Sequence, residues 1–166
     1  MHNCRPFFTR GILLDVARYK GWDRLGVDYV VTVDDVMGAL RMAGIREPGE
    51  GDAVLFHTGH SKLWKTHNQE YTKGCPGPGK AVAQWLADRK ISVVGGDTWA
   101  VEAVPGDADR PFECHTIWIT MNGIYINENL NLAELAQDRV YEFAWSFNPL
   151  MLKGATGSPG NSVAIS

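Results

Sequence analysis

Three short apolar runs constrain this chain more than anything else in it. They are Gly11-Ile-Leu-Leu-Asp-Val16, Ala53-Val-Leu-Phe-His57 and Ile91-Ser-Val-Val94. Each is too short for a helix and too continuously apolar for a strand with one wet face. Runs of that kind are strands buried on both faces, the type found inside parallel sheets. Parallel strands need a crossover between them, and helical patterns stand where crossovers are required. Thr32-Val-Asp-Asp35 opens one helix with a capping-box pattern. The helix continues through Val36, Met37, Leu40 and Met42, and Gly44 stops it. Lys80–Lys90 is a second helix, with Val82, Trp85 and Leu86 on one stripe and Arg89 beside it. Strands alternating with helices predict an α/β domain.

At 166 residues the chain is expected to be one domain, 1–166. A length of this order buries about two-thirds of the unfolded surface. The hydrophobic content of 45% excludes disorder, and no apolar run reaches membrane-span length. A net charge of −3 gives no electrostatic reason to expect nucleic acid or an anionic membrane. Cys4, Cys75 and Cys114 form no Cys-x-x-Cys pair. Three free thiols suit a reducing compartment, and Met1–Pro6 lacks a signal peptide's apolar core, so cytoplasm is expected.

The rest of the chain is less regular. Ala17–Tyr29 reads as a polar loop, and Thr58–Gly79 as a long irregular one of the length that is often functional. Asn131 is placed to cap a helix with Glu134 at its third position. Val140–Phe147 alternates like a strand, Leu150–Leu152 reads as another, and Gly154–Gly160 is a loop before Val163–Ile165.

The chemistry centres on Pro111–Leu132, where His115 and Glu128 flank Asn122-Gly123. Imidazole and carboxylate are ligands for a divalent metal. Two geometries fit. In one, Asn122-Gly123 is a hairpin turn and the two residues form a diagonal pair on one face. In the other, His115–Met121 is a short helix, Asn122 or Gly123 its left-handed cap, and Ile124–Glu128 a buried strand. The β-branched Thr116, Ile117, Ile119 and Thr120 favour the hairpin. By spacing alone the pair reads as structural.

Other signals are weaker. Gly95-Gly-Asp97 lacks the rest of a dinucleotide fingerprint, and a turn-capping role fits Asp97 better. His57, His60 and His67 read as satisfied core or loop histidines. Gly154-Ala-Thr-Gly-Ser-Pro159 is neither a Walker loop nor a nucleophile elbow, and reads as a turn.

Taken together, five ordered pieces resemble a known family. They are Thr9–Val16, Gly51–Gly59, Gly96–Glu102, His115–Leu130 and Gly154–Pro159. In that order they are similar to the cyclase family of metal-dependent hydrolases, which includes kynurenine formamidase and isatin hydrolase. The resemblance spans about Thr9 to Ile165. It implies a swivelling β/β/α domain, a divalent metal (zinc or manganese), and hydrolysis of an amide, lactam or aryl formamide, so that the partner is a small molecule. It also favours the helix-then-strand geometry. By position it makes His115 and Glu128 metal ligands, and places Ser158 near the active site.

The family's H-x-G-T-H-x-D-x-P motif is absent. It normally lies upstream of the strand at Gly11 and supplies the first ligands. His57-Thr-Gly-His60 does not replace it, because the spacing is shorter and Lys62 stands where the aspartate belongs. Asn161-Ser162 also departs from the family's usual Arg-Pro. The expectation is therefore an N-terminally incomplete cyclase domain, weakly active or inactive alone. The competing expectation is a non-catalytic remnant of the same fold that covers its open surface with a partner or a second copy. A nucleotide-binding oxidoreductase would rest on Gly95-Gly-Asp97 alone.

Overall fold

A computed structural model describes residues 6–166, so Cys4 and the start of the chain lie outside the described residues. The first strand, β1 (Phe7–Asp15), is central, as its continuous apolar run requires. On one side it pairs in parallel with β3 (Ala53–His57), in the register Gly11↔Ala53 through Asp15↔His57. β3 pairs in parallel with β5 (Val93–Gly96), and β5 with β6 (Tyr125–Asn127). On its other side β1 meets the antiparallel β7 (Glu142–Pro149), which carries β8 (Gly160–Ile165). The six-stranded order is β6-β5-β3-β1-β7-β8. A separate parallel pair joins β2 (Val30–Val31) to β4 (Gly77–Pro78).

Alternation along the strands divides the interior into two cores. Ile12, Leu14, Val54, Phe56 and Val94 face α2 (Val33–Ala43) and α4 (Lys80–Asp88), meeting Val36, Leu40, Val82 and Leu86. Leu13, Leu55 and Val93 face the other way, onto Leu132, Ala136, Phe143 and Trp145. The sheet is curled, and its outermost strands are tied where Asn127 Nδ2 donates to Ser162 Oγ at 2.8 Å. The result is the expected α/β class, realised as a mixed sheet that curls.

Local chemistry explains most boundaries. Thr32 and Asp35 form the expected reciprocal capping box, and Gly44 closes α2 in the left-handed region at φ 68°. Arg89 follows α4 with its guanidinium 3.4 Å from the Trp85 ring centre.

Several expectations need correction. The loop predicted from Ala17 begins with a helix, α1 (Val16–Lys20), because Asp15 at the strand end accepts from Arg18 N–H as its N-cap while Val16 and Ala17 are buried. The long Thr58–Gly79 segment holds a 3₁₀ turn (His60–Leu63), the short α3 (Asn68–Tyr71) and β4. The strand predicted at Ile91–Val94 is displaced to Val93–Gly96. Leu150–Leu152 is not a strand: all three residues are exposed, beyond the point where Pro149 ends β7. The last helix, α6 (Ala133–Asp138), begins after Leu132, and the Asn131 side chain reaches only Ala133 N–H at 3.4 Å.

Candidate metal centre

His115 stands on α5 (Glu113–His115), which runs on without a break into wide π turns over Thr116–Met121. Gly123, at φ 67°, reverses the chain, and Ile124 N–H returns to Trp118 C=O at 2.8 Å. The chain then enters β6. This is the helix-then-strand geometry, and the hairpin favoured by β-branched propensity is absent. Burial decides it: Cys114, Ile117 and the fully buried Trp118 join the core beneath α4. Packing on that scale outweighs a propensity spread of about 1 kcal/mol.

The consequence is that His115 Nε2 lies 3.6 Å from Glu128 Oε1. Behind the imidazole sits Glu102, 3% exposed. One of its oxygens accepts from His115 N–H at 3.0 Å and from the His115 Nδ1 side, and the other accepts from Cys114 N–H at 3.1 Å. Glu102 therefore caps the helix start and orients the ring. It belongs to the Gly96–Glu102 stretch, yet the sequence assigned it no role. The available signal was an acid in the otherwise apolar run Trp99-Ala-Val-Glu-Ala-Val104.

The hydrogen bond to Glu102, then the Glu128 carboxylate 3.6 Å away, raise the His115 pKa from 6.5 to about 9, against the opposing effect of burial. In the folded state without divalent ions, the imidazolium is held by carboxylates on both sides. A folded pKa above the unfolded one gives stability that is complete below about 6.5 and lost as pH rises through about 9. Chemical denaturation in the presence of a chelator should therefore show a loss on the order of 2 kcal/mol across that window. His115→Gln should flatten the profile. An unchanged profile in that variant would mean that another group is responsible.

The remaining candidates are elsewhere. Ser158 lines a cavity of about 660 Å³ together with Glu128, Phe7, Ile119, Tyr125 and Trp145. Its hydroxyl accepts from Leu150 N–H at 2.9 Å and donates to Pro159 C=O at 2.8 Å, so it fastens its own loop. His57 is a buried core histidine. Its Nδ1 is 2.8 Å from Asp15, and its Nε2 is 4.0 Å from Asp97. Burial works against its charged form, but Asp15 and Asp97 raise its pKa overall. Asp97 accepts from Thr58 N–H, Gly59 N–H and the Thr58 hydroxyl, the turn-capping role expected of it. His60 is wholly buried and stacked on Tyr71. His67 is exposed beside Thr66.

The donor set fits two positions of a metal site. Ligands about 2.1 Å from one tetrahedral ion stand roughly 3–3.5 Å apart. The observed 3.6 Å between Nε2 and Oε1 is close to that. A carboxylate on Nδ1 is the usual support of a metal-binding histidine, because it leaves Nε2 free to bind. Among the described residues, no three or more His, Cys, Asp or Glu side chains are grouped so that together they could hold a metal ion.

The family model described as "Putative cyclase" matches residues 2–103. A solved structure described as a novel cyclase superposes with a TM-score of 0.79 at 30% identity, over 96% of this chain and 53% of that one. An isatin hydrolase bound to the product analogue thioisatinate gives 0.77 at 21%, over 95% and 60%. A predicted metal-dependent hydrolase from Bacillus stearothermophilus gives 0.66 at 23%, over 94% and 62%. A Baeyer-Villiger monooxygenase from Streptomyces coelicolor is 29% identical over 107 residues, which is 64% of this chain and 16% of that protein. The chain thus spans a little over half the length of the solved structures and a sixth of the monooxygenase. With more than half of its residues inside the family match, the chain belongs to the cyclase family.

Proposed function

We propose that the chain is part of a metal-dependent hydrolase that cleaves the C–N bond of an amide or lactam, with aryl formamides among its substrates. The observation that carries this reading is the Glu102–His115–Glu128 arrangement: an imidazole fixed at Nδ1 by a buried carboxylate and facing a second carboxylate across 3.6 Å. His115 Nε2 and Glu128 Oε1 would hold a zinc or manganese ion. When bound, such an ion lowers the pKa of a water and polarises the substrate carbonyl. Glu102 keeps the ring in the tautomer that leaves Nε2 available. The adjoining cavity, about 660 Å³ with Phe7, Tyr125 and Trp145 in its walls, has the size and lining to take an aromatic amide. Ser158 would stand near that substrate as part of the cavity wall.

Two protein ligands fall short of the three that a catalytic zinc site uses. We read the others as coming from outside the described residues, with the chain alone weakly active. Purified protein with manganese or zinc and an N-formyl aromatic amide should give slow turnover that disappears with a chelator or with His115→Ala. Turnover that survives either treatment would refute the assignment.

A second reading is a non-catalytic module of the same fold. It predicts a melting temperature independent of divalent ions and self-association or partner binding. A metal-linked rise in melting temperature counts against it.

A further inference from the structure

Glu128 is half exposed and stands one residue past β6, so β6 alone does not fix its aim. The next residue does. Asn129 is in the left-handed region at φ 56°, a conformation that costs most side chains energy and that asparagine tolerates. Its N–H donates to Thr98 C=O at 2.9 Å, and Leu130 N–H follows onto Gly96 C=O at 3.0 Å. Its side-chain Oδ1 accepts from the Tyr71 hydroxyl at 2.6 Å.

Tyr71 is built to hold still. It is 3% exposed, with its ring stacked on buried His60 at 4.9 Å and met edge-on by Trp64 at 5.3 Å. Its carbonyl lies 3.1 Å from His60 Nε2 and accepts from Trp99 Nε1 at 3.1 Å. Burial, with help from the Asp97 charge, pushes its phenol up to about 12, so it stays a donor at neutral pH. This tyrosine belongs to the long Thr58–Gly79 segment, whose function the fold otherwise leaves open.

We propose that Tyr71 is a positioning residue for the metal centre: its hydroxyl grips Asn129 and holds the left-handed turn that points Glu128 at His115. This rests on the reading of Glu128 as a ligand. Tyr71→Phe keeps the packed ring and removes only the donor. Asn129→Gly accepts the left-handed conformation and removes the acceptor, while adding backbone freedom.

Two measurements on the full chain test the proposal. The first is titration with Mn²⁺ alone. Each variant should bind about tenfold more weakly, the scale on which outer partners of metal ligands act. The double variant should be no worse than either single one, because both remove the same bond. The second is amide hydrogen exchange in metal-free protein. Asn129 and Leu130 should exchange about tenfold faster in Tyr71→Phe, while Leu55 and Phe56 in β3 keep their rates. Unchanged exchange at Asn129 overturns the proposal whatever the metal does. Faster exchange with unaltered Mn²⁺ affinity overturns the link to Glu128. A wild-type chain that takes up no Mn²⁺, with exchange still faster in the variant, overturns the ligand reading and supports the grip of Tyr71 on the turn.

Discussion

Replacing Glu102 by alanine should cost about 3 kcal/mol of folding stability, the scale for removing one member of a buried charged pair. For a chain of this length that is a fall in melting temperature of about 6–12 °C. The Glu102 carboxylate satisfies three donors at once. Its two oxygens accept from the backbone N–H groups of Cys114 and His115, and it pairs with the His115 ring. Alanine leaves two amides at a helix start without their acceptor and the imidazolium with Glu128 alone, 3.6 Å away. The backbone that delivers Glu102 cannot easily move to compensate. A β-carbon on Gly77 would lie 2.0 Å from Val101 O and 2.7 Å from Glu102 C, so β4 and the Val101–Glu102 backbone are pressed together. Glu102→Gln keeps the shape and one acceptor, and should fall between wild type and alanine. Thermal denaturation of the three proteins at neutral pH checks this. If Glu102→Ala melted within 2 °C of wild type, the carboxylate would not be the support described here.

The α/β class and the centrality of β1 were legible because continuous apolar runs leave few alternatives. Leu13 and Leu14 both had to be buried, and only a strand with two covered faces allows it. The box at Thr32 and Asp35 was legible because capping is local. The geometry at His115 was less so. Thr116, Ile117, Ile119 and Thr120 carry a strand propensity that the burial of Trp118 overrides, and burial depends on α4 (Lys80–Asp88), far earlier in the chain. The role of Glu102 was invisible because its partners lie across a loop, where no spacing rule reaches. Leu150–Leu152 misled in the opposite direction, since an apolar run becomes a strand only when it has a neighbour to pair with.

His115→Ala should abolish specific divalent metal binding. The reasons follow from the ring's setting. Glu128 alone is a single, partly exposed carboxylate, and such a group has little affinity for zinc or manganese. In the proposed centre the imidazole would contribute the borderline nitrogen ligand, already oriented by Glu102, so part of the ordering cost would be met before the ion arrives. Alanine leaves the helix, the core residues Cys114, Ile117 and Trp118, and the cavity wall in place. It also leaves buried Glu102 without its ring partner, so a loss of binding reports the ligand itself where thermal denaturation shows the variant folded.

Isothermal titration with Mn²⁺ and Zn²⁺ puts the central claim to its most direct test, using wild type, His115→Ala, Glu128→Gln and His67→Gln. His67 is an exposed histidine far in sequence from the centre and serves as the control. Wild type and His67→Gln should each show one site per chain, weakened at least tenfold in Glu128→Gln and absent in His115→Ala. Binding of equal strength in wild type and His115→Ala would contradict that claim.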